Sequence, residues 1–198
     1  SRLGRSMAAG DRHLLLVNPS AGGGRVRELL PAAERALRAR GIEFRRVFTE
    51  GIEHGCREAR AAGEAGEVTI VMSGDGLIGQ VGGMLAGTEA RLGVIPGGRG
   101  NDLARVLGIP DDVDGAAEVL ATGKLREIDV GEVDGRRFLG IASCGFDSDA
   151  NRIANEAKWV KGRLVYAYAA LRALAGWRQA AFTLTLDGER REFRGYGV

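Results

Sequence analysis

Three times in the first hundred residues a short apolar run stops at a glycine-rich break, and a helical pattern starts on the far side. The runs are residues 13–17, 68–72 and 91–95. The breaks are Asn18-Pro19-Ser20-Ala21-Gly22-Gly23-Gly24, Ser73-Gly74-Asp75-Gly76 and Pro96-Gly97-Gly98-Arg99-Gly100. Runs this short, apolar and rich in β-branched residues read as strands buried on both faces. With a further strand over residues 42–48, strand, loop and helix recur four times, which predicts a parallel sheet with helices on both faces. All three breaks then lie near one edge of that sheet, where glycine backbone and helix amino termini meet phosphate-bearing ligands.

Helices are predicted over residues 26–40, with Val26, Leu29, Leu30, Ala33 and Leu37 on one face, over 53–65, after the turn at 73–76, and over 101–107. Pro31 should kink the first or mark its real first turn, and Gly41 should end it. The third helix carries Gly79, Gly82 and Gly83. Each interior glycine costs about 1 kcal/mol relative to alanine, so these are read as permitting close packing on a sheet or on a ligand.

From Lys124 the pattern changes. Residues 125–133, the turn Asp134-Gly135 and residues 136–142 read as a hairpin, followed by a helical stretch over 151–175 and two strands around Asp187-Gly188. The expected division is a tag scar and disordered N-terminus at 1–12, an α/β domain at 13–123, and the first part of a β-domain at 124–198. Four strands and one helix do not close a β-domain core, so the sequence reads as cut short inside it, with strand edges left for an absent part to pair.

Lys and Arg total 28 against 26 Asp and Glu, a balance without the basic footprint of nucleic-acid binding. The 32 glycines are spread through patterned sequence, which speaks for tight turns and ligand loops rather than low complexity. Cys56 and Cys144 lack metal-ligand spacing and fit reduced thiols in a cytosolic protein. His13 and His54 are too separated for a metal cluster. No apolar run approaches the roughly 20 residues that span a bilayer.

Asp75 stands where phosphate is expected to bind. A carboxylate there would repel the ligand unless Mg²⁺ or a transferable proton makes use of it. The alternative is an aspartate that caps the helix beginning at Leu77. The loops match neither G-x-x-x-x-G-K-[ST] nor G-x-G-x-x-G, which disfavours a P-loop NTPase and a standard dinucleotide dehydrogenase.

The blocks Asn18-Pro19-Ser20-Ala21-Gly22, Thr49, Ser73-Gly74-Asp75-Gly76 and Pro96-Gly97-Gly98-Arg99-Gly100-Asn101-Asp102 resemble, in order, the signature blocks of the diacylglycerol kinase catalytic domain family, which includes the sphingosine kinases and is related to the NAD kinases. The resemblance implies a three-layer, Rossmann-like ATP-binding domain followed by a β-sandwich, here incomplete. It also implies ATP contacts from Asn18, Pro19, Ser20, Gly22, Thr49, Ser73, Gly74, Asp75, Gly76, Leu77, Gly79, Gly98, Arg99, Gly100 and Asn101. Asp75 would serve the chemistry, and Asp102 with Gly145, Phe146 and Asp147 would face the acceptor. The chain departs from the family pattern at Ser73 and Leu77, which replace glycine and threonine, at Gly79-Gln80 in place of Asn-Glu, and at Arg99 in place of a phosphate-contacting threonine. Arginine keeps the donor function and adds a charge suited to phosphate.

The function the resemblance implies is transfer of the ATP γ-phosphoryl group, with Mg²⁺, to a lipid hydroxyl. The acceptor most favoured is diacylglycerol, giving phosphatidate for phospholipid biosynthesis; a sphingoid-base or other small-alcohol kinase, and a non-catalytic ATP-binding regulator, stand as alternatives. The stretch 151–178 sets Arg152, Lys158, Lys161, Arg163, Arg172 and Arg178 among Trp159, Tyr166, Tyr168 and Trp177. It suits either the surface of an anionic membrane or packing on the sandwich. A cytoplasmic protein, peripheral at the inner membrane surface, is therefore expected, with homodimer formation open. The family's general base is expected beyond residue 198, so Asp187-Gly188-Glu189 is read as a hairpin turn, with Glu189 outside the phosphate cleft and the 198 residues alone not turning over.

Overall fold

The computed structural model describes residues 11–140, 172, 180–186 and 188–195. The chain forms two compact units, Ser1–Gly140 and Ile141–Val198.

In the first unit, β1 (His13–Val17), β2 (Phe44–Phe48), β3 (Val68–Ser73) and β4 (Leu92–Pro96) form one sheet in the order β2-β1-β3-β4, every pair parallel. The two inner strands are buried along their whole length because helices cover both faces. Side chains alternate across the sheet. Leu15, Val17, Ile70, Met72 and Ile95 meet Val26, Leu30 and Leu37 of α1 (Arg25–Ala39) and Leu120 of α5 (Val113–Thr122). Leu14, Leu16, Val71 and Val94 meet the other layer, built from α2 (Ile52–Glu64), α3 (Asp75–Leu85) and α4 (Asp102–Leu107). The three-layer α/β/α architecture expected from the repeated pattern is thereby present.

The strand order fixes where a ligand can enter. After β1 the chain leaves to the α1 face, and after β3, its neighbour, to the α3 face. Adjacent strands whose helices part to opposite faces open a crevice at their carboxyl ends. The loops at 18–24 and 73–76 flank that crevice.

Several boundaries differ from expectation for identifiable reasons. Pro31 sits inside α1 on its exposed side, and the helix continues through it. Gly41, at φ 73°, ends α1 as expected, with the Ile42 N–H bonded to the Leu37 carbonyl at 3.0 Å. That turn carries Ile42 into the core, so β2 starts at Phe44. Helix α5 has no counterpart in the sequence reading. Asp112 caps it by accepting the Gly115 N–H at 2.8 Å, and Ala116, Ala117 and Leu120 pack beside α1.

The hairpin expected over 125–142 shrinks to β5 (Gly131–Val133) and β6 (Arg136–Phe138), turned by Asp134 at φ 49° and Gly135 at φ 74°. It belongs to the first unit, which runs to Gly140 rather than ending at 123. Gly79, Gly82 and Gly83 explain why. A Cβ on Gly79 would lie 2.7 Å from the Leu139 carbonyl oxygen, and one on Gly83 would lie 2.5 Å from that of Arg137. The glycine face of α3 is thus a slot for the backbone of residues 137–139, and Gly79 meets protein there rather than its own sheet or a ligand.

In the second unit, β7 (Ala180–Leu186) and β8 (Glu189–Gly195) pair antiparallel, with Leu186 opposite Glu189 and Gly188 at φ 87°. Phe182 and Phe193 stack, ring centroids 5.4 Å apart. The hairpin reading of this segment is correct. Glu189 opens β8 and pairs with Arg191 at 3.0 Å. Cys144, Gly145, Phe146, Asp147, Asp187 and residues 151–171 lie outside the described residues.

Gly83→Ala gains helix propensity but drives a Cβ into the Arg137 carbonyl, and overpacking of this kind costs about 1–3 kcal/mol. Thermal denaturation should show a lower midpoint; a higher one would mean that the slot does not seat this strand.

Candidate functional site

The three glycine loops touch one another. Built on Gly98, a Cβ would lie 2.7 Å from the Gly74 Cα, and one on Gly74 would lie 3.1 Å from the Gly98 Cα. Gly22, at φ 63°, packs so closely on the Gly97 carbonyl that a Cβ would overlap it. No other residue type permits backbones to approach this closely. The loops after β1, β3 and β4 therefore form one continuous glycine surface at the carboxyl edge of the sheet.

Its parts are fixed from the strands outward. The Asn18 N–H bonds to the Met72 carbonyl at 3.1 Å, and its side-chain Oδ1 accepts the Ser20 N–H at 3.1 Å, so the first loop is tied to the end of β3. Pro19 and Ser20 form the turn that follows. Thr49 is buried at the end of β2, its N–H bonded to the Val17 carbonyl at 2.8 Å. Ser73 ends β3, buried, and its carbonyl accepts the Gly97 N–H at 2.8 Å. Gly76 faces open space. Arg99 is exposed and reaches back over the first loop, its Nη2 3.2 Å from the place a Cβ would take on Gly23.

Asp75 is the first residue of α3, yet it does not cap that helix. Its Oδ1 accepts the Leu103 N–H at 3.1 Å, at the start of α4, whose own N-cap residue Asn101 makes no capping bond. The cap expected on its own helix is thus a cap on a neighbouring one. The Asp75 Oδ2 is left facing Gly100, and the Asp102 Oδ2 faces the same residue, each 3.3 Å from a Cβ built there. Asp102 also pairs with Arg105 at 2.7 Å, and Arg105 Nη2 donates to the Gly100 carbonyl at 2.7 Å.

Leu77 and Asn101 are among the sequence-selected residues whose side chains are buried in the protein. Leu77 is 4 % exposed and packs with Leu16 and Ala59 in the core on the α2 side of the sheet. Asn101 is 5 % exposed at φ 54°; its Oδ1 accepts the Gly98 N–H at 2.8 Å and its Nδ2 donates to the Gly98 carbonyl at 3.3 Å. Arg25 and Asp111, absent from the sequence reading, complete the rim. Arg25 Nη1 donates to the Gly98 carbonyl at 3.2 Å, and Asn101 Nδ2 donates to Asp111 Oδ1 at 2.6 Å. The signal that could have found Asp111 is the capping pattern Asp112-Val113-Asp114-Gly115, which fixes the residue before it. Among the described residues no group of three or more His, Cys, Asp or Glu forms a metal cluster, and no helix is long and apolar enough to cross a membrane.

Compared with known proteins, residues 12–133 match the family model for the diacylglycerol kinase catalytic domain. The chain belongs to the diacylglycerol kinase catalytic domain family. Residues 140–198 match the YegS C-terminal NAD kinase beta sandwich-like domain, which supplies the sandwich expected after the α/β part. A diacylglycerol kinase of Mycobacterium tuberculosis is 34% identical over 181 residues, covering 87% of this chain and 58% of the relative. One from Staphylococcus aureus is 36% identical over 137 residues, covering 68% and 44%. The crystal structure of a diacylglycerol kinase from Bacillus anthracis superposes with a TM-score of 0.71 at 25% identity, covering 94% of this chain and 62% of that one. The chain thus spans about three fifths or less of the length of the curated relatives it matches.

If Asp75 caps α4 through an oxygen, Asp75→Asn should keep the bond to the Leu103 N–H and leave stability near that of the parent. Asp75→Ala should lose the cap at a cost of about 1 kcal/mol. Equal denaturation midpoints for the two variants would remove the capping role.

Proposed function

We propose that this protein is a lipid kinase that holds ATP on its three glycine loops and moves the γ-phosphoryl group to a lipid hydroxyl, that of diacylglycerol first among candidates. One observation carries the reading. The mutual approach of Gly74 and Gly98 removes side chains from the sheet edge beside the switch-point crevice and leaves glycine backbone there, the surface that phosphate-bearing ligands approach. Family membership directs that phosphate site toward a kinase.

The residues present fit Mg²⁺ with ATP. The Oδ2 atoms of Asp75 and Asp102 converge on Gly100, and hard carboxylate oxygens in ones and twos, completed by substrate phosphates, are what Mg²⁺ takes. When bound, the ion neutralises charge on the phosphates. The remaining work falls to the chain. In this reading the loops orient the polyphosphate, Arg99 sets a guanidinium over the first loop without a carboxylate partner among the described residues, and the Oδ2 of Asp75, which faces Gly100, is the carboxylate available for the chemistry. Of the departures from the family pattern, Leu77 and Ser73 are absorbed by burial and Gly79 lies under residue 139; Gln80 and Arg99 are exposed, and Arg99 is the one that reaches over the first loop. A lipid acceptor implies work at a membrane surface, which the basic, aromatic composition of residues 151–178 supports.

The test is transfer of label from γ-labelled ATP, by the full-length protein, to a panel of diacylglycerol, sphingoid bases and small alcohols. Label in phosphatidate, lost in a folded Asp75→Asn variant, is the expected result. Transfer to a sphingoid base or small alcohol instead would replace the acceptor. ATP binding with no transfer to any acceptor would make the protein a nucleotide-binding regulator.

A further inference from the structure

We propose that Asp111 is a positioning residue of the nucleotide cleft: its short bond to the Asn101 amide is the strong link in a ring of polar contacts, completed by Arg25, that holds the third glycine loop in its binding geometry. The inference rests on the nucleotide reading above. The ring runs from Gly98 to the Asn101 amide, from Asn101 Nδ2 to Asp111 Oδ1 at 2.6 Å, from Asp111 Oδ2 to Arg25 Nη2 at 3.5 Å, and from Arg25 Nη1 back to the Gly98 carbonyl at 3.2 Å.

Each member has a reason to be there. Glycines at 97, 98 and 100 leave the loop few conformational restraints of its own. Asn101 holds a left-handed backbone conformation, which asparagine tolerates better than most non-glycine residues and which its two bonds to Gly98 secure here. Its amide is nearly buried. Oδ1 is taken by Gly98, one Nδ2 hydrogen goes to the Gly98 carbonyl, and Asp111 accepts the other. Asp111 is held in turn by its neighbour Asp112, which caps α5, and α5 is packed on α1 in the core. Arg25 opens α1 directly after the first loop, so the ring also couples the first loop to the third. Beside a phosphate site a lone carboxylate would oppose the ligand; the Arg25 guanidinium offsets that charge. A loop ordered in advance does not lose that freedom when nucleotide binds, and the saving appears as affinity.

Three variants separate positioning from general support. Asp111→Ala removes the acceptor. Asp111→Asn keeps an oxygen for the Asn101 amide and loses only the long, exposed contact to Arg25, which is worth little. Asp114→Ala removes a carboxylate three residues further on, in the first turn of α5, that pairs with Arg40 instead. Amide hydrogen exchange without nucleotide reads the ring, and calorimetry with ATP and Mg²⁺ reads its consequence. In Asp111→Ala, exchange over residues 97–101 should rise about tenfold with β1 and β3 unchanged, and the Kd for ATP should rise by about the same factor. Asp111→Asn and Asp114→Ala should stay within about threefold of the parent. Unchanged exchange at 97–101 in Asp111→Ala, or a rise spread evenly over the sheet, would overturn the positioning role. Local loosening in a protein whose parent form binds no ATP would support the ring and overturn the nucleotide reading.

Discussion

The structure at this edge depends on two backbones in contact where side chains would ordinarily keep them apart. Gly74 and Gly98 lie just past the ends of the adjacent parallel strands β3 and β4, and their Cα atoms face each other without a Cβ between. A methyl group at either position would push the loops after β3 and β4 apart. The same logic links the first and third loops through Gly22 and Gly97. The parallel sheet beneath supplies the rigidity. Its central strands are dry on both faces, and their register carries Val17, Met72 and Ile95 into one layer below the loops.

On that platform the polar residues divide into those that shape the loops and those left to act. Asn18 and Asn101 have side-chain oxygens committed to nearby N–H groups and belong to the first class. Arg99 belongs to the second. Asp75 belongs to both, because one oxygen caps α4 while the other faces Gly100 with Asp102. A carboxylate fixed by a backbone bond at one oxygen has a defined direction at the other, as a group expected to work beside a phosphoryl centre requires.

How much of this was legible in the sequence follows from which interactions are local. The four strand–loop–helix units were readable because apolar runs, glycine breaks and helical spacing are all encoded within about ten residues. The end of α1 at Gly41 was readable for the same reason. Helix α5 was missed because its apolar stripe is small, Ala116, Ala117 and Leu120, and only the Asp112 cap announces it. The unit boundary was misplaced because the slot in α3 that retains residues 137–139 pairs segments more than fifty residues apart. In the site, the glycine blocks could be assigned by their order. The core placement of Leu77, the capping of α4 by Asp75 and the Arg25–Asp111 ring are tertiary and leave no local pattern.

The central claim is that the glycine surface made by the loops after β1, β3 and β4 receives the phosphates of ATP. Backbone amide NMR shifts of the protein titrated with ATP and Mg²⁺, compared with adenosine alone, test it directly. The account predicts that ATP shifts the amides of residues 22–24, 74–76 and 98–100 as one saturable set, and that adenosine leaves most of them in place. Shifts confined to other parts of the sheet or helices, or the same loop shifts with adenosine, would contradict it.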